Sequence, residues 1–278
     1  MTARLRVATL LGAALALGAC TSTIGPAQPS EPTVASTIPA TITVDSRAER
    51  LSPVHSLARA PQPAMAPRFQ AVLVDDPCVD RDLLAPVASD VTLTVLDRTY
   101  ALPAGYVPVD LVPATRAGLT GTSGDKLVHA AVVGDLAAMR AAWEAEGRRI
   151  ELESAYRSFA SQAATFNSWV ARLGYAGGLV RSARPGHSEH QLGTAIDVTS
   201  AGWSERLGDW AVESAEGAWM ASHAWEYGFV MSYPGDATGV TCFGYEPWHY
   251  RWIGREPAAA HRTSGLPLRE FLERYATG

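Results

Sequence analysis

The alternation of apolar and polar positions predicts short strands and amphipathic helices from Phe69 onwards. Apolar residues recur at helical spacing over 124–147, 158–173 and 203–227, and each stretch is predicted to form a helix. Short β-branched runs between turn residues predict strands and an extended lead-in. These runs are FQAVLV (69–74), VTLTVLD (91–97), TYALP (99–103), IELES (150–154) and GFVMSYP (228–234). Helices intermixed with strands, without regular βαβ alternation, favour an α+β fold.

The start of the chain has the pattern of an export signal. Arg4 and Arg6 precede an uncharged apolar run over 7–19, which is shorter than the roughly 20 residues that a membrane-spanning helix needs. The sequence LGAC, ending at Cys20, resembles a bacterial lipobox, in which the cysteine is lipidated and becomes the new N-terminus. Ordinary signal cleavage near Cys20 is the alternative. A lipidated Cys20 would anchor the protein to the outer face of the bacterial cell membrane.

The stretch that follows is typical of a tether. Residues 21–68 are rich in Ser, Thr, Pro and Ala and show no sustained apolar period. We therefore expect a lipoprotein signal peptide over 1–19, a disordered tether over 20–68 and a folded domain over 69–278.

Net charge and composition disfavour one class of partner and indicate a folded core. The 278 residues include 23 basic and 28 acidic side chains, so a net charge of -5 disfavours a nucleic-acid partner. Hydrophobic residues make up 47%, enough for a sizeable core.

If Cys20 is lipidated, Cys78 and Cys242 are the two cysteines that remain, and an oxidising compartment can pair them. Metal ligation by Cys242 is the alternative to this disulfide.

Candidate metal ligands and a candidate base lie between residues 187 and 249. His190 and Asp197 are seven residues apart with Gly193 between them, and Glu246 precedes His249 by three residues. Two imidazoles and one carboxylate suit zinc, and three protein ligands leave a fourth position for water, as catalytic zinc sites require. Glu246 is the candidate general base that takes a proton from this water. The set therefore predicts hydrolysis of an amide bond.

Three separated motifs strengthen this interpretation. They are SAYRSFASQ (154–162), S-x-H-x-x-G-x-A-x-D from Ser188 to Asp197, and E-x-W-H from Glu246 to His249. In this order they resemble the zinc D-alanyl-D-alanine carboxypeptidase family of VanY type, related to the VanX-type dipeptidases, over residues 69–256. The resemblance implies a small antiparallel sheet with flanking helices, the α+β fold of zinc D-Ala-D-Ala peptidases and hedgehog-like domains.

The resemblance also implies roles for individual residues. His190, Asp197 and His249 would bind one zinc ion, and Glu246 would be the catalytic acid/base. Arg157 would stabilise the developing oxyanion or orient the substrate carbonyl, as suits a charged group with a fixed fork of donors. The remaining two positions, Ser188 and Gln162, match residues that line the substrate site. Ser188 as a turn or cap residue and Gln162 as a helix-surface residue are the alternatives.

We therefore expect an exported, monomeric zinc carboxypeptidase that removes the terminal D-alanine of peptidoglycan stem peptides. Ser232 stands before Tyr-Pro where many relatives have an arginine, so recognition of the substrate carboxylate is expected to differ. A zinc endopeptidase and a non-catalytic wall-binding lipoprotein remain alternatives. A serine D,D-peptidase is disfavoured, because SGDK matches S-x-x-K but Lys126 is the sole lysine and K-T-G needs another.

Overall fold

A four-stranded antiparallel sheet lies at the centre of the fold. The computed structural model describes residues 78–85, 91–124, 126–203 and 207–275, so the predicted signal peptide, Cys20, the tether and the strand at 69–74 lie outside the described residues. The described strands are β1 (Leu83–Leu84), β2 (Tyr100–Ala101), β3 (Leu111–Pro113), β4 (Leu127–His129), β5 (Ile150–Ser154), β6 (Ala195–Ser200), β7 (Phe229–Met231) and β8 (His249–Trp252). The described α-helices are α1 (Val133–Ala145), α2 (Phe159–Arg181), α3 (Leu207–Glu213), α4 (Ala215–His223), α5 (Thr238–Thr241), α6 (Arg255–Ser264) and α7 (Leu268–Tyr275).

The order of strands in this sheet brings the candidate ligands together. The sheet has the order β5-β6-β8-β7, and all three pairings are antiparallel. Asp197 on β6 lies directly opposite His249 on β8, although the two residues are far apart in sequence. The two shorter pairs, parallel β1-β2 and antiparallel β3-β4, lie outside this sheet. The small antiparallel sheet with flanking helices confirms the predicted α+β fold.

The main core packs helix α1 against the sheet. Leu136, Met139 and Trp143 recur at helical spacing and are buried, in one cluster with Ile196 and Val198 of β6. Burying each such side chain contributes about 1.5–3 kcal/mol. Replacing Leu136 with alanine would cost about 2–5 kcal/mol, because it would leave a cavity against the strand that carries Asp197. The apolar stripe of α1 thus supports the rigid base of the site.

Several predicted elements are confirmed, and α2 is longer than expected. Strand β5 occupies Ile150–Ser154 as predicted. Helix α2 begins after Ser158, whose side chain caps it by accepting from the backbone N–H of Ser161, but it continues past Leu173 to Arg181. Gly174 has φ 72°, so the helix kinks there and then resumes. The predicted end at Leu173 is therefore the position of a bend, and the helix ends only at Arg181.

Three sequence predictions are wrong in extent or type. VTLTVLD is not a strand: Val91–Leu93 form a single 3-10 turn, and carbonyls of this segment accept hydrogen bonds from a buried arginine rather than from a neighbouring strand. The helix predicted over 124–147 begins only at Val133, because Leu127–His129 pair with β3. The helix predicted over 203–227 is divided, since the Ser214 hydroxyl accepts from Gly217 N–H and starts α4.

Candidate metal centre and active site

The candidate ligands are presented by a tight turn and two adjacent strands. His190 lies in the 3-10 turn Glu189–Leu192, which ends at Gly193 with φ 74°. A Cβ at Gly193 would come within 2.9 Å of the Leu111 side chain and 3.2 Å of the His129 backbone nitrogen. Only glycine fits this left-handed, crowded position. The turn leads directly into β6, so Asp197 follows His190 at a fixed offset.

Three buried side chains form a group that can hold a metal ion. Asp197 contacts both histidines: Oδ2 lies 3.2 Å from His190 Nε2, and Oδ1 lies 3.0 Å from His249 Nδ1. One candidate ligand atom from each residue lies within 4.8 Å of the others. His190 Nδ1 lies 2.7 Å from the Ala155 carbonyl, so it is the donor nitrogen and leaves Nε2 free for a metal. Two nitrogens and one oxygen fit a zinc site with one open position.

A buried carboxylate that the sequence analysis missed lies behind His249. Glu189 Oε2 is 2.9 Å from His249 Nε2, the ring nitrogen on the side away from Asp197. Arg251 donates to Glu189 Oε1 at 2.9 Å, and the Ser232 hydroxyl donates to Oε2 at 2.6 Å. The one signal in the sequence was the position of Glu189 inside the motif, between Ser188 and His190.

Neighbouring charges and burial have opposite effects on the pKa values of Asp197 and Glu189, the two carboxyl groups in contact with the histidines. Burial alone would raise the pKa of Asp197, but contacts with His190 and His249 hold it well below its usual range. Burial alone would raise the pKa of Glu189 as well, but the charge of Arg251 and contacts with His249 lower it to about 2. Both groups are therefore anionic at neutral pH, as a ligand and its supporting partner should be.

Glu246 has the protonation behaviour expected of a general acid/base. Burial raises its pKa to about 7; the charges of His249 and Arg157 oppose the rise, whereas Asp197 and Glu189 add to it. A carboxyl group with a pKa near neutrality can both take and return a proton. Glu246 also lines the same cleft as the three candidate ligands.

This cleft has a volume of about 210 Å³ and a wall of aromatic and polar side chains. Arg157, Gln162 and Ser188 line it, so the structure brings these predicted site residues together with the metal centre. Trp169, Tyr233 and Trp248 contribute aromatic surface, and Arg181 lies at the end of α2 on the same cleft. The arrangement suits a peptide with a charged terminus next to a hydrolytic centre.

Arg157 is held in place by three side chains. Nη1 donates to Gln162 Oε1 at 2.8 Å, Nη2 donates to Ser154 Oγ at 3.0 Å, and Nη2 lies 3.5 Å from Asp197 Oδ2. The guanidinium therefore lies at the edge of the metal centre with part of its surface facing the cleft. Such a fixed cation can stabilise negative charge that develops on a carbonyl oxygen.

Gln162 has a more structural position than the sequence indicated. It is 1% exposed, and its amide donates to Ser182 Oγ at 3.0 Å and to the Ala183 carbonyl at 2.7 Å. Its oxygen accepts from Arg157. The helix-surface alternative is wrong, and the contacts make Gln162 a support for Arg157 more than a free substrate contact.

Ser188 and Ser232 differ in their relation to the cleft. Ser188 is the residue before the 3-10 turn of His190, and although its side chain gives no capping hydrogen bond, it lines the cleft. Ser232 is buried behind the metal centre and donates to Glu189. The Ser232 hydroxyl is thus committed to Glu189, and the expectation that recognition of the substrate carboxylate differs from that of relatives with an arginine here stays a prediction.

A disulfide joins Cys78 to Cys242, with a Cα–Cα distance of 5.3 Å. The bond ties the first described residues to the end of α5, next to Phe243 of the cleft wall. It also rules out Cys242 as a metal ligand in this structure. Among the described residues, no helix has the length and apolar character needed to span a bilayer.

Comparison with protein families and curated proteins places this arrangement among known peptidases. The family model described as VanY, D-alanyl-D-alanine carboxypeptidase, matches residues 125–255. YodJ of Bacillus subtilis (strain 168), a protein assigned to the carboxypeptidases, is 32% identical to this chain over 183 residues. These residues are 66% of this chain and 67% of YodJ. A D-alanyl-D-alanine carboxypeptidase of Enterococcus faecium is 32% identical over 44% of this chain and 36% of its own length.

Solved structures with the same fold include both metal and peptide complexes. LdcB, an LD-carboxypeptidase, matches with a TM-score of 0.59 and 31% identity over 64% of this chain and 84% of its own. VanYB in complex with D-alanine-D-alanine matches with a TM-score of 0.55 and 27% identity over 66% and 97% of the two chains. A VanY variant in complex with Zn(II) matches with a TM-score of 0.55 and 27% identity, over 65% of this chain and 98% of its own.

Proposed function

The chain belongs to the VanY family of D-alanyl-D-alanine carboxypeptidases and is a zinc metallocarboxypeptidase, and we propose that it removes the terminal D-alanine from peptidoglycan pentapeptide stems. The observation that carries this proposal is the group His190, Asp197 and His249 at the base of a cleft that Glu246 and Arg157 also line. The complex of VanYB with D-alanine-D-alanine supports the choice of peptide end.

Each residue of the centre has a task in this reaction. His190 Nε2, Asp197 and His249 Nδ1 would hold the zinc. When bound there, zinc supplies a Lewis acid that polarises a carbonyl oxygen and lowers the pKa of water towards about 7. Glu246 takes the proton of the attacking water and returns it to the nitrogen of the departing D-alanine as the C–N bond breaks. Arg157 donates hydrogen bonds to the carbonyl oxygen as negative charge develops on it.

A second candidate substrate has its own supporting observation. LdcB, the LD-carboxypeptidase, shares the fold with a TM-score of 0.59 and 31% identity. The same residues would then release D-alanine from a tetrapeptide stem, in which the residue before D-alanine has an L centre. The chemistry is unchanged, and only the fit of that residue in the cleft differs.

The test compares the two stems directly. The kcat/KM for release of D-alanine is measured with two substrates. One is a pentapeptide stem that ends in D-Ala-D-Ala, and the other is a tetrapeptide stem in which the residue before the terminal D-Ala has an L centre. We expect the pentapeptide to be preferred. A preference for the tetrapeptide would replace the first proposal with the second, and no release from either by zinc-loaded protein would contradict both and favour an endopeptidase.

We also propose that the protein acts as a monomer at the cell envelope, lipidated on Cys20 and held to the membrane through the tether over 20–68. The lipobox-like LGAC and the composition of the tether support the anchor, and the supply of all candidate site residues by one chain supports the monomer. Cells fed a clickable fatty acid should label the wild-type protein in the membrane fraction. A Cys20→Ala variant should lose both the label and the membrane association, and light scattering should give the monomer mass.

A further inference from the structure

A buried carboxylate is positioned to orient one metal ligand. Glu189 is 5% exposed, and its Oε2 lies 2.9 Å from His249 Nε2. His249 presents its other ring nitrogen, Nδ1, to Asp197 at 3.0 Å. Glu189 is absent from the described residues that line the catalytic cleft, so it contacts the centre from behind.

Both ring nitrogens of His249 face a carboxylate, with Nε2 facing Glu189 and Nδ1 facing Asp197. With zinc held at Nδ1 beside Asp197, Nε2 would keep its hydrogen and donate it to Glu189. A carboxylate in this place holds the ring plane and makes the imidazole a stronger ligand. Glu189 therefore acts on the metal through His249 and does not touch substrate.

Glu189 is itself held by a fully buried arginine and a serine. Arg251 Nη1 donates to Glu189 Oε1 at 2.9 Å, and the Ser232 hydroxyl donates to Oε2 at 2.6 Å. Arg251 Nη2 donates to the carbonyls of Thr92 and Thr94 at 2.9 and 2.8 Å. Because an unpaired buried charge is very unfavourable, Arg251 and Glu189 require each other.

We propose that Glu189 is a positioning residue for the zinc ligand His249, and that Arg251 connects it to the lead-in segment Val91–Thr94. The segment predicted as a strand thus becomes part of the support of the metal centre. Its carbonyls hold Arg251, Arg251 holds Glu189, and Glu189 holds the imidazole. The inference concerns zinc binding and does not depend on which stem peptide is cleaved.

Glu189→Gln is the informative substitution because it keeps the size of the side chain. A carboxylate accepts from Arg251 at one oxygen and from His249 and Ser232 at the other. An amide has one oxygen and one NH₂ group, so either Arg251 or His249 must face a donor. We expect the zinc dissociation constant to rise about 10–100-fold, the effect typical of losing such a supporting partner.

Zinc affinity is measured by competition with a chromogenic chelator on folded, zinc-free protein at one fixed pH. The visible absorption spectrum of the cobalt-substituted protein reports whether the ligand geometry has changed. Glu213→Gln is the matched control, because Glu213 is an exposed glutamate at the end of α3. The control should bind zinc as the wild type does and give the same cobalt spectrum.

A second variant separates positioning from general stability. Ser232→Ala removes one donor to Glu189 and leaves both charges in place, so its zinc affinity should lie between those of Glu213→Gln and Glu189→Gln. Thermal unfolding of the zinc-free proteins shows whether each variant is folded. Wild-type zinc affinity and an unchanged cobalt spectrum in folded Glu189→Gln would overturn the proposal. If Glu189→Gln does not fold, unchanged affinity in Ser232→Ala would overturn it instead.

Discussion

Substitution of Gln162 by methionine should weaken catalysis by releasing Arg157. Methionine keeps the length of the side chain and suits a helix, but it removes all the hydrogen bonds of the amide. Gln162 accepts from Arg157 Nη1 at 2.8 Å and donates to Ser182 and to the Ala183 carbonyl. The variant therefore removes the link between the guanidinium and the end of α2 without altering the metal ligands.

The size of the effect follows from the contacts of Arg157. Gln162 supplies one of the three side-chain contacts that hold the guanidinium, and the contacts with Ser154 and Asp197 remain. A hydrogen bond to a charged group is worth about 1.5–3 kcal/mol, which corresponds to roughly 10–100-fold in rate if all of it serves orientation. Removing Arg157 altogether should cost about 10²–10³ in kcat. The loss in Gln162→Met is therefore expected near the lower end, about tenfold.

A double-mutant cycle tests whether Gln162 acts through Arg157. The kcat/KM for D-alanine release is measured for the wild type, Gln162→Met, Arg157→Ala and the double variant. In the Arg157→Ala background, Gln162→Met should change the rate less than about threefold, because no guanidinium remains to orient. Asn167→Met is the control, because it makes a similar amide-to-thioether change at an exposed position of α2 that does not line the cleft, and it should be near wild type. Effects that add within about 0.5 kcal/mol would refute the reasoning.

Three other predictions follow from the same contacts. Glu246→Gln should keep its zinc and lose about 10²–10⁴ in kcat, and near-normal turnover would remove Glu246 from the mechanism. Reducing the Cys78–Cys242 disulfide should lower the free energy of unfolding by about 2–5 kcal/mol in a denaturant titration, whereas an unchanged midpoint would show that the bond is not stabilising. Burial lowers the pKa of His261 from 6.5, so below that value the unfolded chain binds a proton that the folded chain resists. Stability should therefore be full above pH 6.5 and fall as the pH decreases; His261→Gln should reduce this slope, and an equal slope would contradict the assignment.

The local part of the site could be predicted from the sequence because turns and strands fix it over short distances. Gly193 ends the turn of His190 and leads into β6, so the spacing to Asp197 reflects backbone geometry that a motif records. A backbone hydrogen bond from His249 N–H to the Glu246 carbonyl closes the short turn between these two residues and keeps them close together. The sequence therefore indicated the ligands and the candidate base together.

The supporting contacts could not be predicted because they join residues that are distant in sequence. Glu189 and Arg251 are 62 positions apart, and Arg251 and Thr94 are 157 apart. VTLTVLD has strong β propensity, but propensity does not distinguish a paired strand from a segment whose carbonyls bind a buried arginine. Tertiary contacts decided the structure of that segment and also the role of Ser232.

The most direct test of the account is release of D-alanine from a stem peptide, with bound zinc counted in the same preparation. We predict about one zinc per chain, release that a chelator abolishes, and recovery when zinc is restored. His190→Ala should lose both zinc and activity, since it removes one of three ligands. Release that continues in zinc-free protein, or a full complement of zinc in His190→Ala, would contradict the central claim that His190, Asp197 and His249 form the catalytic zinc site.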